Sequence, residues 1–367
     1  MTWWANSTRK SGFDVNPSLH LDLSEYDVGR AARSGGYHEA DFHVWCGSVV
    51  AEEDGRYHMF ASRWSRQLPF TCWATSSEIV RAVADHPSGP FRFQEVVLAG
   101  RDERYFDGRS VHNPVICRNP ASGYALFYTA TTFARPLDLH RPAGQRHFPQ
   151  WLEAWNSQRI GVATSDSVLG PWRRRDEPIL EPRADRWDAS ITSNPAVTLD
   201  DKGEWVLIYK SIAKPYVGDA LPARFQFGLC RASSPAGPYR RESEEPLFAD
   251  HPQADLEDPF IWHNGTCFEM LAKDMNGAMA GTPRAGVHAW SHNARQWQLA
   301  PSPCFYDRTV QWDDGTQTTQ DFLERVWLLR EEGRPSHLYF ATAESPEGYF
   351  GIQNARNIAV PLIKKGK

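Results

Sequence analysis

The chain repeats one pattern of polar and apolar positions five times. Each copy has a polar pair, a short apolar run, a polar turn that contains Gly, and a second apolar or aromatic run. Two short apolar runs on either side of such a turn are typical of a β-hairpin. The sequence therefore predicts five hairpins. They lie at 43–64, 111–131, 192–211, 256–274 and 323–343.

A second unit follows the first three hairpins and ends each time in Gly-Pro-aromatic, at 89–91, 170–172 and 237–239. More divergent versions follow the fourth and fifth hairpins, at 286–299 and 341–351. This unit predicts a third strand, a turn and a fourth strand that begins near the aromatic residue. Four strands in each of five repeats predict an all-β fold, a five-bladed β-propeller with four-stranded antiparallel blades around a central axis.

The repeats also divide the chain into regions. Residues 1–36 carry no repeat and are predicted to form an N-terminal arm, and 37–367 are predicted to form one propeller domain, with blades that start near 43, 111, 192, 256 and 323. Residues 132–158 form an insertion in blade two, which suits either a loop over a pocket or a dimer contact. Helix is predicted only at 149–158 and 77–85. The apolar segment 357–363 is expected to be a strand that closes the last blade.

Composition narrows the function classes. The 367 residues carry 40 Lys and Arg against 45 Asp and Glu, a net charge of −5. This balance argues against a nucleic-acid partner, whose phosphates need a basic face. No apolar run approaches the ~18 residues of a membrane helix, and the first residues lack a signal-peptide core, so we expect a cytoplasmic protein without a membrane partner. The six cysteines occur singly, which favours reduced core residues over zinc ligands.

Aligning the polar pairs places one residue at the same point of every repeat: Cys46, Asn113, Asn194, Asp258 and Arg325. The first strand of a propeller blade lines the axis, so residues at its entry should converge at one mouth. Those entries are polar and carry Asp41, His43, Trp45, Asp107, His112, Asp188 and Glu257. Converging carboxylates must pair with Arg or His, bind a cation or have raised pKa values. An Asp before a strand can also simply cap a turn.

Two carboxyl groups of different pKa across a pocket are what glycoside hydrolysis requires. One protonates the leaving oxygen, and the other activates water or attacks the sugar directly. Aromatic side chains suit the apolar faces of a sugar, and polar groups take its hydroxyls, although propeller blades also pack aromatic residues for structural reasons. We therefore expect a carbohydrate substrate. The predicted substrate-binding residues are His43, Trp45, Asp107, His112, Asn113, Asn194, Asp258 and Arg325.

Over roughly residues 37–350 the chain resembles the five-bladed propeller glycoside hydrolases. These are the arabinanases and xylosidases of family 43 and their relatives, the anhydrogalactosidases of family 117 and the mannoside phosphorylases of family 130. The strongest local match is the segment Leu256-Glu257-Asp258-Pro259-Phe260-Ile261. Family 43 places its general acid just before the fourth-blade strand, which implies that role for Glu257. The resemblance also implies a base Asp and an acid-tuning Asp where this chain has Cys46 and Asn194.

Asp41 and Asp188 are the nearest substitutes, and they reach the same volume if their entry loops fold inward. We therefore predict a glycosidase that removes a terminal sugar by inversion, with Glu257 as acid, Asp41 as base and Asp188 holding the acid in place. Two alternatives stay open: a non-catalytic carbohydrate-binding propeller, and a phosphorylase. The phosphate pocket of such a phosphorylase could be built from Arg109, His112, Lys273 and Arg325.

We expect that no cofactor is required. Oxygen ligands are abundant near the predicted axis and could hold an axial Ca²⁺ or another hard cation. The chain has no contiguous calcium-binding motif, and Asp-rich segments such as 200–203 and 313–315 are more typical of turns. A homodimer is compatible with the insertion at 132–158.

Overall fold

The computed structural model describes residues 23–121, 123–140, 147–218, 223–346 and 348–366. Five four-stranded antiparallel sheets form a ring, which confirms the predicted five-bladed propeller. The first strands of neighbouring blades contact one another all the way round, and blade five returns to blade one. No helix within the described ranges is long and apolar enough to cross a membrane.

Strand β1 (Tyr26–Val28) comes first in the chain, and blades one to four follow in order. Blade one contains β2 (Phe42–Ala51), β3 (Tyr57–Ser65), β4 (Glu78–Ala84) and β5 (Arg92–Leu98). Blade two contains β6 (Ser110–Arg118), β7 (Tyr124–Thr131), β8 (Arg159–Ser165) and β9 (Arg173–Arg174). Blade three contains β10 (Ser193–Leu199), β11 (Trp205–Ser211), β12 (Gln226–Ala232) and β13 (Arg240–Arg241). Blade four contains β14 (Leu256–His263), β15 (Phe268–Asp274), β16 (Ala285–Ser291) and β17 (Gln298–Tyr306).

Blade five joins the two ends of the described chain. A small hairpin, β18 (Thr309–Gln311) and β19 (Gln317–Thr319), leads into β20 (Phe322–Glu331), β21 (Arg334–Glu344) and β22 (Gln353–Lys364). The segment predicted at 357–363 is therefore part of a third strand, and β1 pairs with it to supply the fourth. Tyr26–Val28 consequently belongs to the propeller, although the predicted arm ended at residue 36. Residues 1–22 of that arm lie outside the described residues.

Among the described residues, helix is confined to short segments. These are helix α1 (Trp73–Ser76), helix α2 (Pro149–Asn156) and single 3-10 turns at Leu23–Glu25, Phe70–Cys72 and Tyr349–Gly351. Helix α2 confirms the prediction at 149–158. The helix predicted at 77–85 was wrong, because this segment is strand β4, hydrogen-bonded on both sides to β3 and β5. Its β-branched residues Ile79, Val80 and Val83 fit that pleated position better than a helix.

The first strand of every blade carries a bulge at the aligned residue. The pairing with the second strand shifts register there in all five blades. The residue at the bulge has a left-handed backbone each time, with φ between 47° and 58°. This conformation is uncommon for residues other than Gly, so the five aligned positions are structurally equivalent. They are Cys46, Asn113, Asn194, Asp258 and Arg325.

The axis is closed on one side of these bulges. The residues just beyond them enclose a space of only about 10 Å³, which is no larger than a single water site requires. Trp327 fills this end: its ring lies 4.9 Å from that of Phe260 in blade four, and its Nε1–H donates to the Val49 carbonyl in blade one. The same ring packs on the cluster between blades two and three. In the part of the chain that the structure describes, the other mouth of the axis is therefore the side open to a ligand.

Candidate active site

A cavity of about 290 Å³ lies at the open mouth of the axis. This volume is at the lower end of the ~300–1,000 Å³ that ligand pockets usually have. First and second strands of the blades supply its floor, and the insertion and the loops between strands supply its walls.

A chain of hydrogen bonds through the five bulge residues forms the bottom of the cavity. The Cys46 thiol donates to Asn113 Oδ1 (2.8 Å), and Asn113 Nδ2 donates to Asn194 Oδ1 (2.8 Å). Asn194 Nδ2 donates to Asp258 Oδ1 (2.7 Å), which also accepts a hydrogen bond from Arg325 Nη1 (3.0 Å). Four hydrogen bonds therefore link the bulge residues in order from blade one to blade five, which fixes the polar groups of the floor relative to one another.

A chain of alternating charge lies beside the bulges and is here called the charged floor. It consists of Lys210, Glu257, Lys273 and Glu324, together with the bulge residue Asp258. Glu257 accepts from Lys210 Nζ through Oε1 (2.6 Å) and lies 2.7 Å from Lys273 Nζ through Oε2. Lys273 Nζ also lies 2.7 Å from Glu324 Oε1 and 3.6 Å from Asp258 Oδ2. One ammonium group thus joins three carboxyl groups. All four of these interactions are largely shielded from water, where charge pairs act strongly.

The pKa values of the two glutamates of the charged floor are shifted in opposite directions. Burial alone would raise the pKa of Glu257, but the ammonium groups of Lys210 and Lys273 outweigh it and hold that pKa well below its ordinary value. Burial, together with the nearby Asp258 and Glu257 carboxylates, raises the pKa of Glu324 against the opposing effect of Lys273. Glu257 is therefore the ionised partner, and Glu324 is the group that can hold a proton.

The spacing of these glutamates is short, because both touch the same nitrogen. Their contacting oxygens cannot lie further apart than two contacts of 2.7 Å laid end to end. Paired glycosidase carboxyl groups are about 5–5.5 Å apart in retaining enzymes and ~6.5–9.5 Å apart in inverting ones. The upper limit for the contacting oxygens lies below the inverting range and is compatible with the shorter class. Among the described residues, no hydrogen bond engages the second oxygen of Glu324, Oε2.

His112 is a neutral member of the cavity wall. Its Nδ1 lies 3.0 Å from Ser77 Oγ and its Nε2 lies 3.6 Å from Cys46 Sγ. Burial, then the positive charges of Arg325 and Lys210, lower the pKa of His112 well below its ordinary value. The ring can therefore exchange hydrogen bonds with a bound ligand without adding a charge.

Aromatic rings surround the charged floor and are here called the aromatic collar. One half comes from the insertion and the loop after β11: His147, Trp151, Trp155, Tyr216 and Phe225. The other half comes from blades one and five: Trp45, Phe70, Phe322, Tyr349 and Phe350. The described part of the 132–158 insertion thus overhangs the cavity, as one of its two sequence interpretations expected. Residues 141–146 lie outside the described residues.

Asp107 and Asp188 do not line this cavity, which corrects their predicted roles. Both carboxylates are fully buried. Asp107 is held by Arg101 (2.7 Å), Arg174 (3.2 Å) and the Tyr128 hydroxyl (3.0 Å). Asp188 is held in the same way by Arg183 (2.9 Å), Arg241 (3.1 Å) and the Tyr209 hydroxyl (2.7 Å). Their similar sequence contexts therefore reflect a repeated structural cluster in blades two and three.

Asp41 also lies away from the cavity, so the predicted base is corrected too. It is exposed just before strand β2, and its carbonyl accepts the backbone N–H of Arg66. His43 packs edge-on against Phe70, bonds the Leu68 carbonyl through Nε2 (3.3 Å) and borders a different surface depression. Arg109 likewise pairs with Glu103 and the Phe133 carbonyl, outside the cavity. The entry loops do not fold inward as expected.

The other predicted residues do line the cavity: Trp45, His112, Asn113, Asn194, Glu257, Asp258 and Arg325. Sequence reasoning missed Glu324 and Lys210 and considered Lys273 only for phosphate. A signal was present, because Glu257 and Glu324 each directly precede the aligned bulge residue. The lysines follow from the pairing: Lys210 lies opposite Ser193, and Lys273 lies opposite Glu257, at that same position of the first strand.

Within the described ranges, no group of three or more His, Cys, Asp or Glu residues is arranged to hold a metal ion. The carboxylates of the charged floor already face ammonium and guanidinium groups. An axial cation would have to compete with these positive charges, so the axial Ca²⁺ stays a prediction without support from this geometry.

No family model matches the sequence, and no curated protein matches it. Solved structures do match over nearly the whole chain. One is Zg3597, a family 117 glycoside hydrolase of Zobellia galactanivorans, with 14% identity over 92% of this chain and 89% of that one, and a TM-score of 0.58. Another is CoXyl43, a family 43 β-xylosidase/α-arabinofuranosidase from a compost metagenome. It has 15% identity over 90% of this chain and 94% of that one, and a TM-score of 0.57.

A third match is an exo-1,5-α-L-arabinanase from a bovine ruminal metagenomic library, with 13% identity over 88% of this chain and 95% of that one, and a TM-score of 0.51. The chain therefore has the fold of the five-bladed propeller glycoside hydrolases, which confirms the resemblance seen in the sequence. At these identities the likeness establishes the architecture, and the activity has to be argued from the cavity itself.

Proposed function

We propose that the protein is a glycoside hydrolase that removes a terminal sugar from a glycoside. The observation that carries this proposal is the pair of glutamates in the charged floor. They share one cavity and one lysine, and their environments move their pKa values in opposite directions. Acid-assisted cleavage of a glycosidic bond requires two carboxyl groups with different pKa values, one protonated and one ionised.

In the mechanism we propose, Glu324 protonates the oxygen of the leaving group as the bond to the anomeric carbon breaks. Ionised Glu257 attacks that carbon, and a glycosyl ester forms. Water then hydrolyses the ester, with Glu324 now taking the proton. This is retention with Glu324 as the acid. It replaces the inversion expected from the sequence, in which Glu257 was the acid and Asp41 the base, because Asp41 is not at the cavity, the pKa of Glu257 is lowered and the two glutamates are close together.

The shape of the cavity supports action on a chain end. Trp327 and the bulge residues close the axis, so one sugar unit can enter only from the open mouth. Asn113, Asn194 and Arg325 border the bottom of the cavity, where hydroxyl groups of that unit would need donors and acceptors. Substrate would therefore bind with its terminal unit deepest and its remainder toward the mouth.

The two roles can be separated with Glu257→Gln and Glu324→Gln. Loss of an acid matters little when the leaving group needs no proton. We therefore expect Glu324→Gln to lose about 10²–10⁴-fold in kcat on alkyl glycosides but far less on activated aryl glycosides. Glu257→Gln should be inactive on both, because the carboxylate that attacks the anomeric carbon is removed. NMR of the first product should show retained anomeric configuration; an inverted product, or equal losses in both variants, would refute these assignments.

A phosphorylase is the second candidate, because three of the four residues considered for a phosphate pocket, His112, Lys273 and Arg325, do border the cavity. The two cations among them already face carboxylates, so the hydrolase is the better fit. Turnover that requires added phosphate and yields a sugar 1-phosphate would establish the phosphorylase. Sugar binding without turnover in either assay would establish a carbohydrate-binding propeller instead.

A further inference from the structure

The aromatic collar forms an unbroken path of ring contacts above the charged floor. Trp155 contacts Tyr216 at 5.0 Å, Tyr216 contacts Trp151 at 5.3 Å, and Trp151 stacks on His147 at 3.6 Å. His147 then contacts Phe350 across the mouth at 5.3 Å, which joins the insertion to blade five. The upper cavity is therefore walled by aromatic faces on both sides.

The path continues from Phe350 down to the floor on the other side. Phe350 contacts Tyr349 at 5.6 Å, Tyr349 contacts Phe70 at 5.9 Å, and Phe70 contacts Trp45 at 5.0 Å. Trp45 borders the floor beside the bulge residue Cys46. The apolar wall thus begins at the depth of the glutamates and extends to the rim.

The polar groups of two collar residues, Trp151 and Tyr349, already make hydrogen bonds within the protein. Trp151 Nε1 donates to the Thr71 carbonyl (3.0 Å), and Trp73 Nε1 donates to the Tyr349 hydroxyl (2.8 Å). The indole N–H of Trp151 is therefore not available to a second sugar, and the Tyr349 hydroxyl already accepts one hydrogen bond. A second sugar unit against these rings would find few partners for its hydroxyls, and an unpaired buried hydroxyl is costly.

The apolar surface also reaches solvent at the rim. Phe350 lines the cavity and is 38% exposed, and Val217, next to the cavity residue Tyr216, is 75% exposed. Large exposed apolar side chains around a polar-floored cavity indicate a surface that a ligand covers. The cavity therefore changes character with depth, from hydrogen-bonding and charged at the bottom to aromatic above.

We propose that the aromatic collar is a subsite for an apolar leaving group, so that the substrate is a glycoside of an alkyl or aryl alcohol rather than an oligosaccharide. The cleavage of such a glycoside rests on the proposed function, whereas the binding of its apolar group to the collar does not. The terminal sugar occupies the charged floor, and the apolar aglycone lies against the collar and leaves through the rim.

Alkyl glycosides test the subsite cleanly, because ethyl, butyl and hexyl alcohols have nearly the same acidity and differ only in apolar length. We expect kcat/KM to rise by up to about fourfold for each methylene that the collar buries. Phe350→Ser should flatten this dependence, and Leu169→Ser, an exposed residue away from the cavity, should leave it unchanged. Rates independent of chain length, or a preference for disaccharides over hexyl glycosides, would overturn the subsite.

Binding of non-hydrolysable thioglycosides separates this inference from the proposed function. Calorimetry would compare hexyl and ethyl thioglycosides across arabinofuranosyl, xylosyl and galactosyl series. Tighter binding of the hexyl compound, weakened by Phe350→Ser, supports the subsite even if no glycoside is hydrolysed. Hydrolysis with equal affinity for both chain lengths would support the glycosidase and refute the subsite.

Discussion

At the scale of single residues, Lys273 decides how the two glutamates share their roles. Its ammonium group contacts both of them, whereas Lys210 contacts only Glu257. Lys273 lowers the pKa of Glu257 and opposes the rise in the pKa of Glu324. It acts through the carboxyl groups, so we regard it as a positioning residue for the proposed reaction.

Lys273→Met should shift the whole pH profile of kcat/KM to higher pH. Activity requires Glu257 ionised and Glu324 protonated, so the acidic limb reports the pKa of Glu257 and the basic limb that of Glu324. Without Lys273 both pKa values rise, and both limbs move upward. Lys210→Met is the matched control and should move only the acidic limb. If both limbs stay in place, Lys273 does not set these protonation states.

The same change should also be costly to the fold. Lys273 is 2% exposed, and removal of one partner from a buried ion network typically costs about 3–5 kcal/mol. Urea unfolding monitored alongside the pH profile would distinguish a loss of stability from a change in protonation. Only a shift of the two limbs of the pH profile tests the role of Lys273 in the proposed reaction.

Residue-level prediction from sequence failed where one residue type serves two purposes. Asp107 and Asp188 precede their strands in similar contexts, and nothing local distinguishes an axial carboxylate from one that binds arginines. Their partners lie on other strands, in Tyr128 and Tyr209, and in arginines from neighbouring segments. Only the fold brings those groups together. Glu257 was found through the resemblance to family 43, whereas Glu324 was missed although it occupies the same position of its repeat.

At the scale of elements, the bulge in each first strand is the device that turns polar residues toward the axis. The alignment of five polar pairs in the sequence identified this position correctly, because each repeat must make the same bend. The left-handed backbone and the hydrogen bonds between blades were not predictable from the pairs alone. They depend on which residue faces which across blade boundaries.

Asn194 tests the bulge directly, because it both donates and accepts in the chain of hydrogen bonds. Asn194→Gly keeps the backbone relaxed at φ 47° but leaves buried partners unsatisfied, which should cost about 1–3 kcal/mol of unfolding free energy. Asn194→Ala should cost a further ~1–2 kcal/mol, since a Cβ disfavours the left-handed region. Urea unfolding would measure both; equal stability of the Gly and Ala variants would exclude backbone strain at this position.

At the scale of the whole molecule, the ring closes through a strand from near the start of the chain. β1 hydrogen-bonds the edge of β22, and Leu23 and Tyr26 are buried beneath blade five. The repeat predicted five blades but not this closure, because a three-residue strand has too little pattern to stand out. The repeated strands could be predicted from the sequence, whereas the strand pair β1–β22 that closes the ring could not, because it occurs once.

Removal of residues 1–28 should therefore weaken the propeller, because it takes away β1, Leu23 and Tyr26. The loss of two buried side chains corresponds to about 3–6 kcal/mol, and the freed edge of β22 offers unpaired backbone groups to other chains. We expect a lower melting temperature and concentration-dependent association in size-exclusion chromatography. An unchanged melting temperature would show that β1 contributes nothing to closure.

The tryptophan that closes the axis has a further consequence for the order of events in the proposed reaction. While the ester to Glu257 exists, Trp327 blocks the far side, so the next acceptor must arrive along the route by which the first alcohol departed. Water and small alcohols then compete for the same position. Added butanol should divert part of the ester into a new butyl glycoside, and free sugar, released last, should inhibit competitively.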